Sequence, residues 1–327
     1  MPDFLQALGD GIYAIDTGFQ RDRFDAAYLI TEAGRAAFID TGTNHSVPRL
    51  LTSLDALGIA REAVDWVIPT HVHLDHAGGV GLLVQSLPTA RVLAHPRGLR
   101  HLVSPTALWA GALAVYGEEE MQRSYGRLVP VPAARAEPSH DGQVIELAGR
   151  PLLLIDTPGH ARHHHCIWDE RSGGWFTGDT FGIAYPEFTR ASDGAPWLFP
   201  TSTPVQFEPD ELRASVTRLL EKSPRAMYLT HYSRVGRSTD EVRALADYLL
   251  KLVDAMVHAA QAVKDLAGAE RHTALKARLL LLYQQEACAH QPALTPEAAA
   301  ELLGSDVELN AQGLEIWLDK LLQAQQQ

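Results

Sequence analysis

The segment Thr70-His71-Val72-His73-Leu74-Asp75-His76-Ala77-Gly78-Gly79 constrains this chain more than any other. Three imidazoles and a carboxylate fall within six positions, directly after the apolar run Val67-Ile68-Pro69. In extended backbone, residues two apart point the same way, so His71 and His73 share a face. A turn into a helix then brings Asp75 and His76 round to a neighbouring point. Neutral imidazoles and ionised carboxylates are ligands for divalent zinc, iron or manganese, and four such groups left unpaired in a buried turn would be costly. The spacing suits two adjacent metal ions; the alternative is a solvated histidine-rich loop.

A chain that aims such groups at one place must end several strands near each other. The first 235 or so residues alternate short β-like runs with Gly, Pro and Asp. The runs fall at 11–16, 27–31, 36–40, 66–69, 91–94, 128–131, 143–147, 151–156, 165–168, 174–177 and 225–229. Helical stretches are expected at about 47–58, 78–87 and 208–222, which makes an α/β arrangement with mixed sheets. Strand ends repeatedly deliver a ligand-type residue: Asp40, then Asp156 with His160 after it, then Asp179, then His231.

From Ser238 the texture changes. Ser238-Thr239-Asp240-Glu241 is a capping-box pattern, and Val242, Leu245, Leu249, Leu252, Met256, Ala260 and Val263 recur at helical spacing. Further helices are expected at about 272–290, at 295–303 after Thr295-Pro296, and at 305–323 behind a second capping box, Ser305-Asp306-Val307-Glu308. The division is thus a catalytic domain over 1–237 and an all-α domain over 238–327, with 323–327 a frayed tail. From Asp240 the segment holds 13 acidic and 7 basic side chains, so it is no nucleic-acid arm. It reads as a packing or homodimerisation appendage, or as a cap over substrate.

A net charge of −12 sets an adverse field against polyphosphates, which leaves a small-molecule substrate rather than nucleic acid as the partner. No apolar run approaches the ~18 residues of a membrane span, and no basic-then-apolar leader opens the sequence. Cys166 and Cys288 cannot make a disulfide framework, so the expected location is the cytoplasm.

The order His-x-His-x-Asp-His, then Gly-His, then Gly-Asp, then a late His resembles the metallo-β-lactamase superfamily of metal-dependent hydrolases, over about residues 9–235. The resemblance implies an αββα sandwich with a dinuclear site at one edge, here followed by an all-α C-terminal extension. It implies His71, His73 and His160 on one metal, Asp75, His76 and His231 on the other, and Asp179 bridging them. Asp40 would orient ligand imidazoles through their free N–H groups. The metals would be two divalent ions, zinc in the first instance, with iron or manganese as alternatives. A hydroxide bridging them would attack the substrate, oriented by the catalytic carboxylates Asp75 and Asp179.

In many relatives a second histidine follows the Gly-His ligand by four residues, which implies a supporting or pocket role for His164. His163 and His165 read as ordinary strand residues, and Cys166 as a buried small apolar one. His45, His95, His101, His140, His258, His272 and His290 read as structural or surface residues.

The aromatic loop after Asp179 makes Tyr185, Phe181 and Trp197 the candidate walls of a substrate pocket. The nearest branches are the glyoxalase II type and the lactonases. The Lys-containing glutathione-binding stretch of the former is replaced by Pro186-Glu187-Phe188, and the substrate-facing Tyr of the latter by Gly182. The expected activity is hydrolysis of an ester, thioester or lactone. The alternatives are a di-iron oxygen-binding or redox protein, and a phosphodiesterase or ribonuclease of the same fold.

Overall fold

A computed structural model describes residues 1–325 of the protein. Two sheets lie face to face. The first runs in the order β1 (Leu5–Gly9), β2 (Ile12–Asp16), β3 (Ala26–Glu32), β4 (Arg35–Ile39), β5 (Val64–Ile68), β6 (Arg91–Ala94) and β7 (Ala136–Pro138). Its first four strands are antiparallel and the rest join in parallel through helices. Those helices are α1 (Val47–Ala56), α2 (Leu74–Ala77), α3 (Val80–Gln85), α4 (Pro96–Val103), α5 (Thr106–Tyr116) and α6 (Glu118–Glu120), the last running into a π-helical turn over Met121–Tyr125.

The second sheet comprises β8 (Gln143–Leu147), β9 (Arg150–Asp156), β10 (His165–Asp169), β11 (Gly174–Gly178), β12 (Ala226–Leu229) and β13 (Ser233–Val235), each beside the next. The helix α7 (Pro209–Leu220) carries the chain across to the parallel strand β12. Then follow α8 (Thr239–Gln261), α9 (Gly268–His290) and α10 (Pro296–Gln325). The architecture is the expected sandwich with a C-terminal all-helical region.

Strand periodicity explains the layers. Along β2 and β3, Ile12, Ala14, Tyr28 and Ile30 point one way, into a cluster with Leu152, Leu154, Ile167 and Phe176 of the other sheet. Their neighbours Ile15 and Leu29 point outward onto Leu50 and Leu54 of α1 and Leu83 of α3. The outer face of the second sheet, with Ile155, Trp168 and Trp175, is covered by Leu212, Val216 and Leu219 of α7. The same core continues without a break into Val242, Leu249 and Val253 of α8, Leu279 of α9 and Leu314 of α10. The C-terminal helices therefore extend the helical layer over the second sheet.

Three expectations need correction. The stretch 128–131 is not a strand, because Pro130 and Pro132 withhold the N–H groups that a ladder needs, and the edge strand forms later as β7. The helices expected at 295–303 and 305–323 are one helix. Ala299, Leu303, Val307, Ala311, Leu314 and Leu318 keep one buried stripe across Gly304, so packing carries the helix through the apparent second cap. That helix includes Gln323 to Gln325 of the expected frayed tail, while Gln326 and Gln327 lie outside the described residues. The helices α4 and α5 were not anticipated. Among the described residues, no helix is long and apolar enough to cross a membrane.

Candidate metal centre

The edge of the sandwich where β4, β5, β9, β11 and β12 end gathers His71, His73, Asp75, His76, His160, Asp179 and His231, with Asp40 behind them, whereas Asp156 pairs instead with His95 at 3.0 Å. His71 and His73 follow β5, and His73 is the N-cap of α2, which carries Asp75 and His76. His160 lies in the turn after β9, Asp179 follows β11, and His231 follows β12. Gly178 turns the chain at φ 47°, where an added Cβ would lie 2.6 Å from the Nε2 of His164. Only glycine lets β11 deliver Asp179 this close to the histidines.

The side chains form overlapping groups. His71, His73 and His160 each offer a nitrogen within 4.8 Å of the others, and so do the donor atoms of Asp75, His76 and His231; a further set joins His71, His76 and Asp179. Asp179 stands between the two outer trios. Its Oδ2 is 3.3 Å from the Nε2 of His160, whereas its Oδ1 is 3.4 Å from that of His76 and 3.8 Å from that of His231. The Oδ2 of Asp75 is 3.3 Å from the Nε2 of His231 and 3.7 Å from that of His76.

Three of the imidazoles, those of His76, His231 and His160, are aimed by the nitrogen they do not turn to the centre, a common arrangement at metal sites. The Nδ1 of His76 pairs with the Oδ2 of Asp40 at 2.9 Å, and Asp40 also accepts from the Thr70 N–H and the Thr230 hydroxyl. The Nδ1 of His231 donates to the Phe24 carbonyl at 2.9 Å, and that of His160 faces the Thr201 carbonyl at 3.3 Å. His164 is fully buried. Its Nδ1 contacts the hydroxyls of Thr157 and Thr180, and its Nε2 accepts from the Asp179 N–H at 3.4 Å. Asp40 thus pairs with the His76 imidazole, and His164 with the backbone of Asp179.

Electrostatics match this layout. Burial, with the imidazoles of His76 and His73, pushes His71 well below its ordinary range, and burial likewise lowers His73 and His160. Burial pushes Asp75 and Asp179 upward, but the imidazoles of His76 and His231 outweigh it and hold both carboxylates ionised. Burial also opposes a proton on His231, yet Asp179, Asp75 and Asp25 raise it to about 9. The Nε2 of His76 and the Oδ1 of Asp179 are buried with no hydrogen-bond partner. Two such atoms facing each other in a dry site are costly unless a cation lies between them. The donor set fits divalent metal ions.

The family follows from sequence as well. Residues 21–231 match the model of the metallo-β-lactamase superfamily, a span that contains every one of these ligand-type residues. The chain belongs to the metallo-β-lactamase superfamily. Its fold is similar to a solved archaeal superfamily member, ST1585 from Sulfolobus tokodaii, with a TM-score of 0.63 and 22% identity over 94% of this chain and 98% of that one. In sequence it is 29% identical to the human acyl-coenzyme A thioesterase MBLAC2 over 198 residues, covering 53% of this chain and 64% of that protein. It is also 29% identical to an atrochrysone carboxyl ACP thioesterase of Aspergillus fumigatus over 179 residues, covering 55% of this chain and 42% of the relative. The chain thus spans less than two thirds of either thioesterase.

The aromatic candidates are placed differently from the ligands. Phe181 and Trp197, expected as pocket walls, are buried in the core. Trp197 stacks on Phe199 at 4.8 Å and donates its Nε1–H to the Tyr248 hydroxyl at 2.9 Å. Trp197 also lies 6.2 Å from the ring of Tyr283 of α9, and Phe181 belongs to the same apolar core. Tyr185 is also buried, but its ring is 6.4 Å from that of His231 and its hydroxyl donates to Asp306 of α10 at 3.1 Å.

Sequence reasoning passed over several residues here. Phe24 sets its ring 5.2 Å from His231 and stacks on Tyr185 at 5.0 Å. Asp25 is fully buried, with its Oδ1 unpartnered, and burial raises it to about 8 despite the nearby His231 and His76. His163, read as an ordinary strand residue, stands 5.5 Å from the ring of His73. Only the Phe-Asp pair at the mouth of a strand hinted at the first two.

Proposed function

We propose that the protein is a dinuclear metal-dependent hydrolase of acyl thioesters and related esters or lactones, acting on a small-molecule substrate. The observation that carries this reading is the placement of Asp179, whose two oxygens face different trios. His71, His73 and His160 would hold one divalent ion, and Asp75, His76 and His231 a second. Two such ions would supply a bound water of lowered pKa and would polarise the substrate carbonyl.

The chain's own groups then have separate tasks. Asp75 retains 24% side-chain exposure while Asp179 retains 7%, so Asp75 faces the incoming substrate and orients the attacking water. Asp40, Thr201 and Phe24 keep the imidazoles fixed, so little reorganisation accompanies reaction. Phe24 is buried between Tyr185, stacked 5.0 Å away, and the Arg21 guanidinium 4.5 Å over its ring, so it packs behind His231 and holds that imidazole in place. The thioesterase relatives support a thioester as the bond of choice.

Elemental analysis, the visible spectrum and a panel of acyl thioesters, aryl esters and lactones test this together. About two zinc per chain, no colour and thioester turnover are expected. Two iron with a dioxygen-sensitive absorbance would overturn the hydrolase reading, and phosphodiester cleavage alone would overturn the acyl one.

A further inference from the structure

We infer that Asn310, on the C-terminal helix α10, is the positioning residue for the metal ligand His160. The inference rests on the reading of His160 as a ligand and adds a part to the centre that lies 150 residues away in sequence.

The chain of contacts is short. Asn310 has no solvent exposure. Its Oδ1 accepts from the Ser202 N–H at 2.7 Å, and its Nδ2 donates to the Pro200 carbonyl at 3.1 Å and to the Tyr283 hydroxyl of α9 at 3.0 Å. The Ser202 hydroxyl donates back to the Asn310 carbonyl at 3.3 Å. Asn310 thus grips the residues on both sides of Thr201, and the Thr201 carbonyl faces the Nδ1 of His160. From the next residue but one, the Thr203 hydroxyl donates to the His160 carbonyl at 3.0 Å. The loop 200–203 is therefore pinned to His160 on one side and to α10 on the other.

The helix is shaped for this contact. Gly313 lies almost one turn beyond Asn310, and an added Cβ there would lie 2.4 Å from the Thr203 carbonyl and 2.5 Å from the Ser202 hydroxyl. Backbone meets loop directly, which fixes the reach of the amide. Packing alone does not call for an amide at this place, because the stripe around it is Leu303, Val307, Ala311 and Leu314. A buried amide using its acceptor and both donor hydrogens sets one geometry for whatever it grips. The imidazole held by that loop can turn its Nε2 to a metal in one direction only, and losing such support weakens metal affinity about 10–100-fold.

The test measures zinc affinity of full-length protein by competition with a chromophoric chelator, and reads cobalt spectra alongside. Asn310→Ala should lose about 10–100-fold in affinity for one of two equivalents, with altered cobalt bands, while the other binds as in wild type. Asn310→Asp keeps the acceptor for Ser202 and should recover part of the loss. Leu303→Ala, a cavity in the same helix without a link to the loop, should lower thermal stability yet bind both zinc ions normally. Wild-type affinity for both equivalents in Asn310→Ala would overturn the inference, as would equal weakening in Leu303→Ala. Zinc uptake is read without substrate, so a wild type that loads two zinc and hydrolyses nothing removes the proposed function alone.

Discussion

The edge of the sandwich and the C-terminal helices use their interiors in opposite ways. At the edge, His71, His76, His160, His164, His231, Asp25, Asp40 and Asp179 are all buried, and several of their donor atoms find no protein partner. From α8 to α10, the buried polar or charged residues are Asp306 and Asn310 alone, inside an interior otherwise made of Leu, Val, Ala, Met and Tyr. Both of these meet loops of the site, Asp306 through Tyr185 and Asn310 through Ser202 and Pro200. In the C-terminal helices buried polarity meets the loops of the centre, whereas in the sandwich it also occurs away from it, as in the buried Arg150–Asp169 pair.

Substitutions should separate the two regions. Asp179→Ala strikes the residue shared by both trios, so elemental analysis should show metal content falling and hydrolysis should drop below detection. Two retained metals with full turnover would break the contrast. Leu279→Ala in α9 opens a cavity at a fully buried position and should cost about 2–5 kcal/mol in urea unfolding while leaving metal content unchanged.

Asp306→Asn tests the border. Burial raises the Asp306 carboxyl from 3.8 to about 6 against the opposing pull of His231 and Tyr185. The folded protein therefore keeps a proton that the unfolded chain sheds. Its stabilising share is complete below about pH 4 and is lost as the pH rises to about 6, a change of about 3 kcal/mol at most. The difference between Asp306→Asn and wild-type unfolding free energies should rise from pH 4 to 7 and then level. A flat difference would place Asp306 with the exposed carboxylates.

The two regions also differed in how much of them could be read beforehand. The candidate ligands were legible because metal chemistry restricts residue type, so His71, His73, Asp75, His76, His160, Asp179 and His231 stand out by identity and order. The strands behind them were legible because alternation and Gly/Pro punctuation are local. Asp306 was misread as part of a cap, since Ser305-x-x-Glu308 has the local form of one and only the buried stripe shows that the helix continues. Asn310 left no local trace, because helical periodicity registers apolar residues and is silent on an amide whose partners are more than a hundred residues away. Phe181 and Trp197 were aromatic and close in sequence to Asp179, yet proximity along a loop does not say which way a ring turns.

The single run of α10 bears on how the protein comes into being. At the usual pace of about 5–20 residues per second, a ribosome finishes His231 several seconds before it reaches Asn310. During that interval all the candidate ligands exist, but the Pro200 carbonyl and the Ser202 N–H still lack the amide that satisfies them in the finished fold. A centre whose His160 depends on Asn310 would then be completed late in biosynthesis, with the arrival of the last helix.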